Sequence, residues 1–206
     1  EFDGDGSVET PFSSLNSAIS ELSSQSNNFC QTIALFSGTY DMQLTIEDET
    51  LYLNGVGNSP GSVIIQRGSD DEGNPLSGRI FEVLNNGSLG LANLTVRGAT
   101  ATGDGGAIRA IGGNVELDSV RISNNYSTGD GGAISVSSGE FISRNSYFSG
   151  NESADDGGAV AIFSGIFEDH GSQFINNRGT RGGGVLLDSS NGQLFDSLFQ
   201  DNTAIE

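Results

Sequence analysis

The sequence predicts an all-β fold: a single-stranded parallel β-helix of about 25–26 residues per turn, closed at its N-terminus by a short capping helix. Three observations carry that expectation. A Gly-Gly marker recurs as GDGGAI (103–108), GDGGAI (129–134), DDGGAV (155–160) and RGGGVL (181–186), its glycine pairs stepping by 26, 26 and 25 residues. A second marker, Ile122-x-x-Asn125, Phe148-x-x-Asn151, Phe174-x-x-Asn177 and Phe199-x-x-Asn202, keeps the same steps. Between the markers the apolar residues alternate with polar ones and never fall at helical spacing, which excludes the helical solenoids.

Aligned by the period, Ile108, Ile134, Val160 and Val185 share a column, as do Ala110, Val136, Ile162 and Leu187, and Val115, Phe141 and Phe167. Alternation sends neighbouring side chains to opposite faces of a strand, so a coil of such strands stacks each column inside itself about 4.8 Å per turn. Each turn is expected to hold three short strands joined by Gly, Asn, Ser and Asp corners. Gly105 and Gly106, Gly131 and Gly132, Gly157 and Gly158, and Gly182 and Gly183 mark a corner without room for side chains. Asn125, Asn151, Asn177 and Asn202 are expected to stack as an amide ladder at another.

Along the chain, residues 1–30 form an N-terminal segment with the capping helix. Thr10-Pro11 supplies a cap and a first-turn proline, and Phe12, Leu15, Ile19 and Leu22 follow at helical spacing. Residues 31–103 form irregular turns of the same coil, with strands in TIALF (32–36), QLTIE (43–47), TLYLNG (50–55), SVIIQ (62–66), RIFEVL (79–84), SLGL (88–91) and NLTVRG (93–98). SDDEGNPLSG (69–78) is a protruding loop. Residues 104–206 are the regular turns, continuous with the rest in one domain, and their last edge strand is expected to be uncovered.

Charge narrows the partners. The 206 residues hold 27 acidic side chains against 8 basic ones, all arginine, for a net charge of −19. A phosphate backbone needs a basic face, so nucleic acid is excluded as a partner. No apolar run is long enough for a membrane helix, so this segment does not insert into a membrane. A single cysteine, Cys30, closes no internal disulfide and reads as a buried thiol. High acidity with abundant Ser, Asn and Thr points to an extracellular or cell-surface location.

The paired GGA[I/V] and [F/I]xxN markers resemble the repeats of the chlamydial polymorphic membrane proteins, surface autotransporters. The resemblance covers roughly residues 103–202 and departs in the last copy, where Gly184 replaces alanine and one residue is deleted. It implies a right-handed coil, surface display, and adhesion to a host cell or matrix.

Candidate chemistry is sparse. Carbohydrate-active β-helices need converging carboxylates or a basic residue beside them. The acidic pairs are Asp70/Asp71 in the long loop and Asp155/Asp156 at a corner, and Asp169 precedes the one histidine, His170. His170 shares its column with Arg144 and Asp118, a mixture without common chemistry. Two weak calcium candidates remain. One is the alternating carboxylates of Asp3, Asp5 and Glu9, part of a calcium-loop pattern. The other is the column Asp104, Asp130 and Asp156, whose mutual repulsion of about 0.9 kcal/mol per neighbouring pair in water is tolerable without metal. In the fourth copy Arg181 occupies that column beside Asp156. Sequons at Asn86, Asn93, Asn125 and Asn151 are candidate N-glycosylation acceptors, no more numerous than chance gives, and at Asn125 and Asn151 they conflict with an inward ladder. The sequence reading is a non-enzymatic structural or adhesive module, part of a surface protein or of a fibre stacked end to end from copies of itself. The alternative is a carbohydrate-active β-helix of the polysaccharide lyase or hydrolase kind.

Overall fold

The computed structural model describes residues 31–206 together with Leu15, Ala18 and Ile19. Those three are helical, with Leu15 and Ala18 buried and Ile19 packed against the core, at positions of the expected cap. Cys30 and the calcium candidates Asp3, Asp5 and Glu9 lie outside the described residues.

Every strand pairing between turns is parallel and the strands assemble into four walls. The first wall stacks Leu44–Glu47, Phe81–Leu84, Ile108–Ile111, Ile134–Ser137, Val160–Phe163 and Val185–Asp188. The second stacks Gln31–Leu35, Thr50–Gly55, Ser88–Ala92, Asn114–Asp118, Glu140–Arg144, Ile166–His170 and Asn191–Phe195. The third stacks Gly38–Asp41, Val63–Gln66, Thr95–Arg97, Arg121–Ser123, Tyr147–Ser149, Gln173–Ile175 and Leu198–Gln200. A fourth, narrow wall stacks Thr100–Ala101, Tyr126–Ser127, Glu152–Ser153, Arg178–Gly179 and Thr203–Ala204. The regular turn therefore holds four strands where three were expected, because a two-residue strand is too short to show alternation.

The columns stack as the period requires. Ile108 lies opposite Ile134, Ile134 opposite Val160 and Val160 opposite Val185, and the first three are fully buried. Phe141 stacks on Phe167 at 5.3 Å between ring centroids, and Phe148 on Phe174 at 4.6 Å. Each fully buried side chain of this size contributes about 1.5–3 kcal/mol relative to exposure. The last turn leaves Leu187, Leu194, Leu198 and Phe199 exposed.

Corners are columns too. Ser138, Ser164 and Ser189 turn the chain from the first wall to the second, and Ser119 and Asn145 from the second to the third. Asn124, Asn176 and Asp201 turn it into the fourth. All of them sit at positive φ, where short polar side chains and glycine are best tolerated. At the last corner Gly105 has φ +66°, and a Cβ on Gly106 would stand 2.1 Å from the Gly132 carbonyl of the next turn. The same crowding repeats along the column, where a Cβ on Gly132 would strike the carbonyl of Gly158, and one on Gly158 that of Gly183. The amide ladder is present at one corner. The Nδ2 groups of Asn125, Asn151 and Asn177 donate to the Oδ1 of Asn151, Asn177 and Asn202 at 3.0, 3.0 and 2.9 Å. Each Oδ1 also accepts the backbone N–H of the asparagine one turn below.

One long turn breaks the period, because Leu44–Glu47 pairs directly with Phe81–Leu84. The extra length holds a 3-10 turn at Pro60–Ser62 and the expected loop at 69–78, exposed over 69–77. Asp70 folds that loop on itself by accepting the backbone N–H of Glu72 and Asn74 and the Asn74 side chain. The Asn74 side-chain bond, then its backbone bond, holds the Asp70 carboxyl below its ordinary value. Asp70 is therefore a loop staple, and does not converge with Asp71 on a site.

Candidate functional site

The long turn opens a cleft of about 260 Å³ beside the first wall, lined by hydroxyls of Thr45, Ser77, Thr100 and Thr102 and by Arg79 and Glu82. Alternation makes Glu82 point outward, since Phe81 and Val83 on either side of it are fully buried. Glu82 sits opposite Thr45 on one neighbouring strand and Arg109 on the other. Arg109 donates to Glu82 Oε1 from Nε at 3.0 Å and from Nη2. Arg79 Nη1 approaches the same oxygen at 3.9 Å. Oε2 of Glu82 accepts no hydrogen bond among the described residues.

Arg79 is itself held from behind. Its Nε donates to the carbonyls of Gly105 at 2.9 Å and Asp104 at 3.1 Å, and its Nη2 donates to Asp104. Burial, followed by the charge of Arg109, moves its guanidinium below the ordinary arginine value, partly offset by Glu82 and Asp104. Arg67 braces the loop side, donating to the Met42 carbonyl at 3.3 Å and the Ser77 carbonyl at 3.4 Å, while its buried Nε finds no partner. Three of the eight arginines thus gather round one cleft of a strongly anionic chain.

The acidic candidates resolve differently. In the column of Asp104, Asp130 and Asp156, Oδ1 of each accepts the backbone N–H of the next member, Arg181 being the last, at 3.0–3.1 Å. These carboxylates are backbone caps, repeated once per turn. Carboxylate oxygens of Asp130, Asp155 and Asp156 lie within 4.8 Å of one another. Arg181 takes up Asp156, with its Nε 2.9 Å from Oδ2. That side-chain bond holds the Asp156 carboxyl below its ordinary value, so its stabilisation is present above about pH 4 and is lost as pH falls through the folded value. Asp130 goes the other way: burial, then the charges of Asp155, Asp104 and Asp156, outweigh the Asp156 backbone bond and raise it. Stability from the raised carboxyl is full at low pH and is lost as pH rises through its folded value. Asp130→Asn keeps an acceptor for the Asp156 N–H and removes the charge. Its melting temperature is expected to rise by about 1–2 °C at pH 7 after allowance for solvent screening, the gain closing below about pH 4. A thermal melt at both pH values checks this.

Asp169 and His170 do not form a pair. Asp169 faces inward and is fully buried, its Oδ2 accepting from the Ser172 N–H at 3.2 Å and the Ser197 hydroxyl at 2.5 Å, its Oδ1 without a partner. His170 faces outward on the next position, 2.5 Å from Glu168 Oε1 and stacked on Phe195 at 4.7 Å. Of the sequons, Asn125 and Asn151 are 1 % and 0 % exposed and fully engaged in the ladder, which leaves no room for a glycan. Asn93 donates to the Gly55 and Gly57 carbonyls, and Asn86 is exposed.

Sequence reasoning missed the cleft. Outward Glu82 and Arg109 were legible in their own strands, but their adjacency depends on the register across the irregular turns, which the period does not fix.

Comparison with known proteins places the coil among others. The sequence model of the Chlamydia polymorphic membrane protein (Chlamydia_PMP) repeat matches residues 119–137. A search of curated proteins finds no match. Among solved structures, pectin methylesterase PemA from Erwinia chrysanthemi superposes with a TM-score of 0.57 at 15 % identity, over 84 % of this chain and 54 % of that one. A pectin methylesterase in complex with a hexasaccharide gives 0.61 at 14 % identity, over 98 % of this chain and 66 % of that one. The chain thus spans just over half to about two thirds of these proteins' length, and at such identity the likeness fixes the fold alone. It also corrects the expectation of a non-enzymatic module, which was drawn from the lack of converging carboxylates: these two solved structures that share the coil are pectin methylesterases. No helix among the described residues is long and apolar enough to cross a membrane. What sequence and coordinates establish together is a parallel β-helix carrying a repeat of the Chlamydia polymorphic membrane protein type.

Proposed function

We propose that the chain is a carbohydrate-active β-helix, displayed at a surface, that takes a polysaccharide in the cleft at Arg79, Glu82 and Arg109. The observation that carries this reading is the state of Glu82: one oxygen is held by arginine and the other is free, inside a cleft rimmed by hydroxyls. Hydroxyl side chains exchange hydrogen bonds with sugar hydroxyls, and the arginine fixes the carboxylate's orientation. In this reading Glu82 Oε2 takes a proton from water as that water attacks an ester carbonyl. The oxyanion then forms beside guanidinium donors, and the alkoxide leaves as the alcohol after reprotonation. The fold shared with pectin methylesterases, one of them holding a hexasaccharide, supports a sugar ester as the substrate class. The polymorphic membrane protein repeat supports surface display.

The test is incubation with highly methylated pectin and with polygalacturonate, reading released methanol in the first and new reducing ends or unsaturated products in the second. Methanol release that falls by about 100-fold or more in Glu82→Gln supports the assignment, whereas cleavage of polygalacturonate without methanol release refutes the ester step. No product from either substrate with the wild-type chain, or activity that survives Glu82→Gln, overturns it.

A further inference from the structure

The third wall differs from the other three in charge. From Val63–Gln66 to Leu198–Gln200 its six strands contain no carboxylate, whereas the second wall carries Glu116, Asp118, Glu140 and Glu168 over its matching turns. In a chain with 27 acidic residues, such a run of outward positions leaves a gap in the negative surface. Its charged outward residues are Arg97 and Arg121. Five other arginines (79, 109, 144, 178 and 181) are ion-paired, and Arg67 is spent on carbonyls. Arg97 and Arg121 pair with no carboxylate among the described residues, and both are exposed.

Register puts them together. Arg121 lies on the strand next to Arg97, with Ser123 directly opposite Arg97 and Tyr147 directly opposite Arg121. The Arg121 guanidinium sits over the Tyr147 ring, 5.6 Å from its centroid. Ser149 and Gln173 continue the surface on the following strands. The result is a flat strip carrying two unneutralised guanidinium groups, an aromatic ring and neutral hydrogen-bonding side chains, running along the axis of the coil.

We propose that this strip binds an anionic glycan, with Arg97 and Arg121 on its carboxylate or sulfate groups and Tyr147, Ser123 and Ser149 against the sugar rings and hydroxyls. Charge complementarity selects the class: guanidinium groups without carboxylate partners favour a planar anion bidentately, and hydroxyl and aromatic neighbours suit a polyol more than a bare peptide. Two positive charges against a net charge of −19 do not suffice for a nucleic-acid backbone. The strip lies on the third wall, whereas the cleft lies against the first and takes in Thr100 and Ala101 of the fourth, and binding to the strip does not use Glu82 chemistry.

The experiment measures binding of the whole chain to immobilised polygalacturonate, chondroitin sulfate and dextran, with a single-stranded oligonucleotide as competitor. Binding to one or both acidic polymers and not to dextran is expected. It should weaken about tenfold in the Arg97→Ala/Arg121→Ala double variant and recover partly in Arg121→Lys relative to Arg121→Ala. The carboxylate and sulfate polymers tell the two sources of anion apart. Both arginines are exposed, so an unaltered melting curve verifies the fold of the variants. Equal binding by the double variant, equal binding to dextran, no binding at all, or displacement by the oligonucleotide at lower concentration than by free glycan overturns the proposal. A chain that turns over no polysaccharide yet binds through Arg97 and Arg121 leaves this inference standing while refuting the catalytic one.

Discussion

Replacing Phe148 by alanine is expected to lower the stability of the coil by about 3–5 kcal/mol, the cost of removing a buried aromatic ring and leaving its cavity. Phe148 is fully buried, stacked on Phe174 at 4.6 Å and edge-on to Phe141 at 6.3 Å, so its neighbours above and to the side cannot close the gap without leaving their own columns. For a chain of this size the melting temperature should fall by roughly 10 °C. Phe195→Ala is the control: the same deletion at an exposed ring in the second wall, 46 % accessible, should cost far less. Equal losses in the two variants would mean that the inner aromatic columns do not hold the turns together. Because each turn touches only its neighbours, unfolding is expected to start at the damaged turn and broaden the transition.

Asn151→Ala should rank beside it, for a different reason. The Asn151 side chain accepts from the Asn125 backbone and side chain at 3.1 and 3.0 Å, and donates to Asn177 Oδ1 and the Ile122 carbonyl, each at 3.0 Å. Truncation leaves two buried donors on Asn125 without an acceptor, at about 1–3 kcal/mol each. Asn151→Asp keeps acceptors and loses the donor, so it separates the two halves of the loss. Calorimetric melts supply the totals, and hydrogen exchange at the Asn125 amide locates them: its protection should collapse in Asn151→Ala and persist in Asn151→Asp. Protection that persists in both would show that the ladder is incidental to the corner.

The regular half of the molecule was legible because its chemistry repeats. Ile108, Ile134 and Val160 share one environment turn after turn, so one period read twice gave their register. The Gly-Gly corner and the asparagine ladder were legible for the same reason, each position admitting a single kind of residue. The non-repeating features were not. Glu82, Arg79 and Arg109 meet only because the long turn brings Leu44–Glu47 directly against Phe81–Leu84, an adjacency no spacing announces. The fourth wall stayed hidden because two residues carry no alternation. The charge gap on the third wall was written in the sequence, yet it becomes a surface only once Arg97, Arg121 and Tyr147 are known to be neighbours. The non-enzymatic expectation rested on Asp70/Asp71, Asp155/Asp156 and Asp169-His170 showing no convergence along the sequence, and it did not weigh Glu82, whose partners meet only across the irregular turns; one architecture hosts many chemistries.

The asparagine ladder has a direction. Asn125, Asn151 and Asn177 each send one N–H to the side-chain oxygen of the next turn, so the amide-to-amide bonds all run one way, while the other N–H of Asn151 and Asn177, and that of Asn202, returns to a carbonyl of the turn before. Each bond polarises the next, as in any aligned hydrogen-bonded chain. One edge of the coil in this way carries a one-way chain of bonds, lengthened by every turn that the same motif adds.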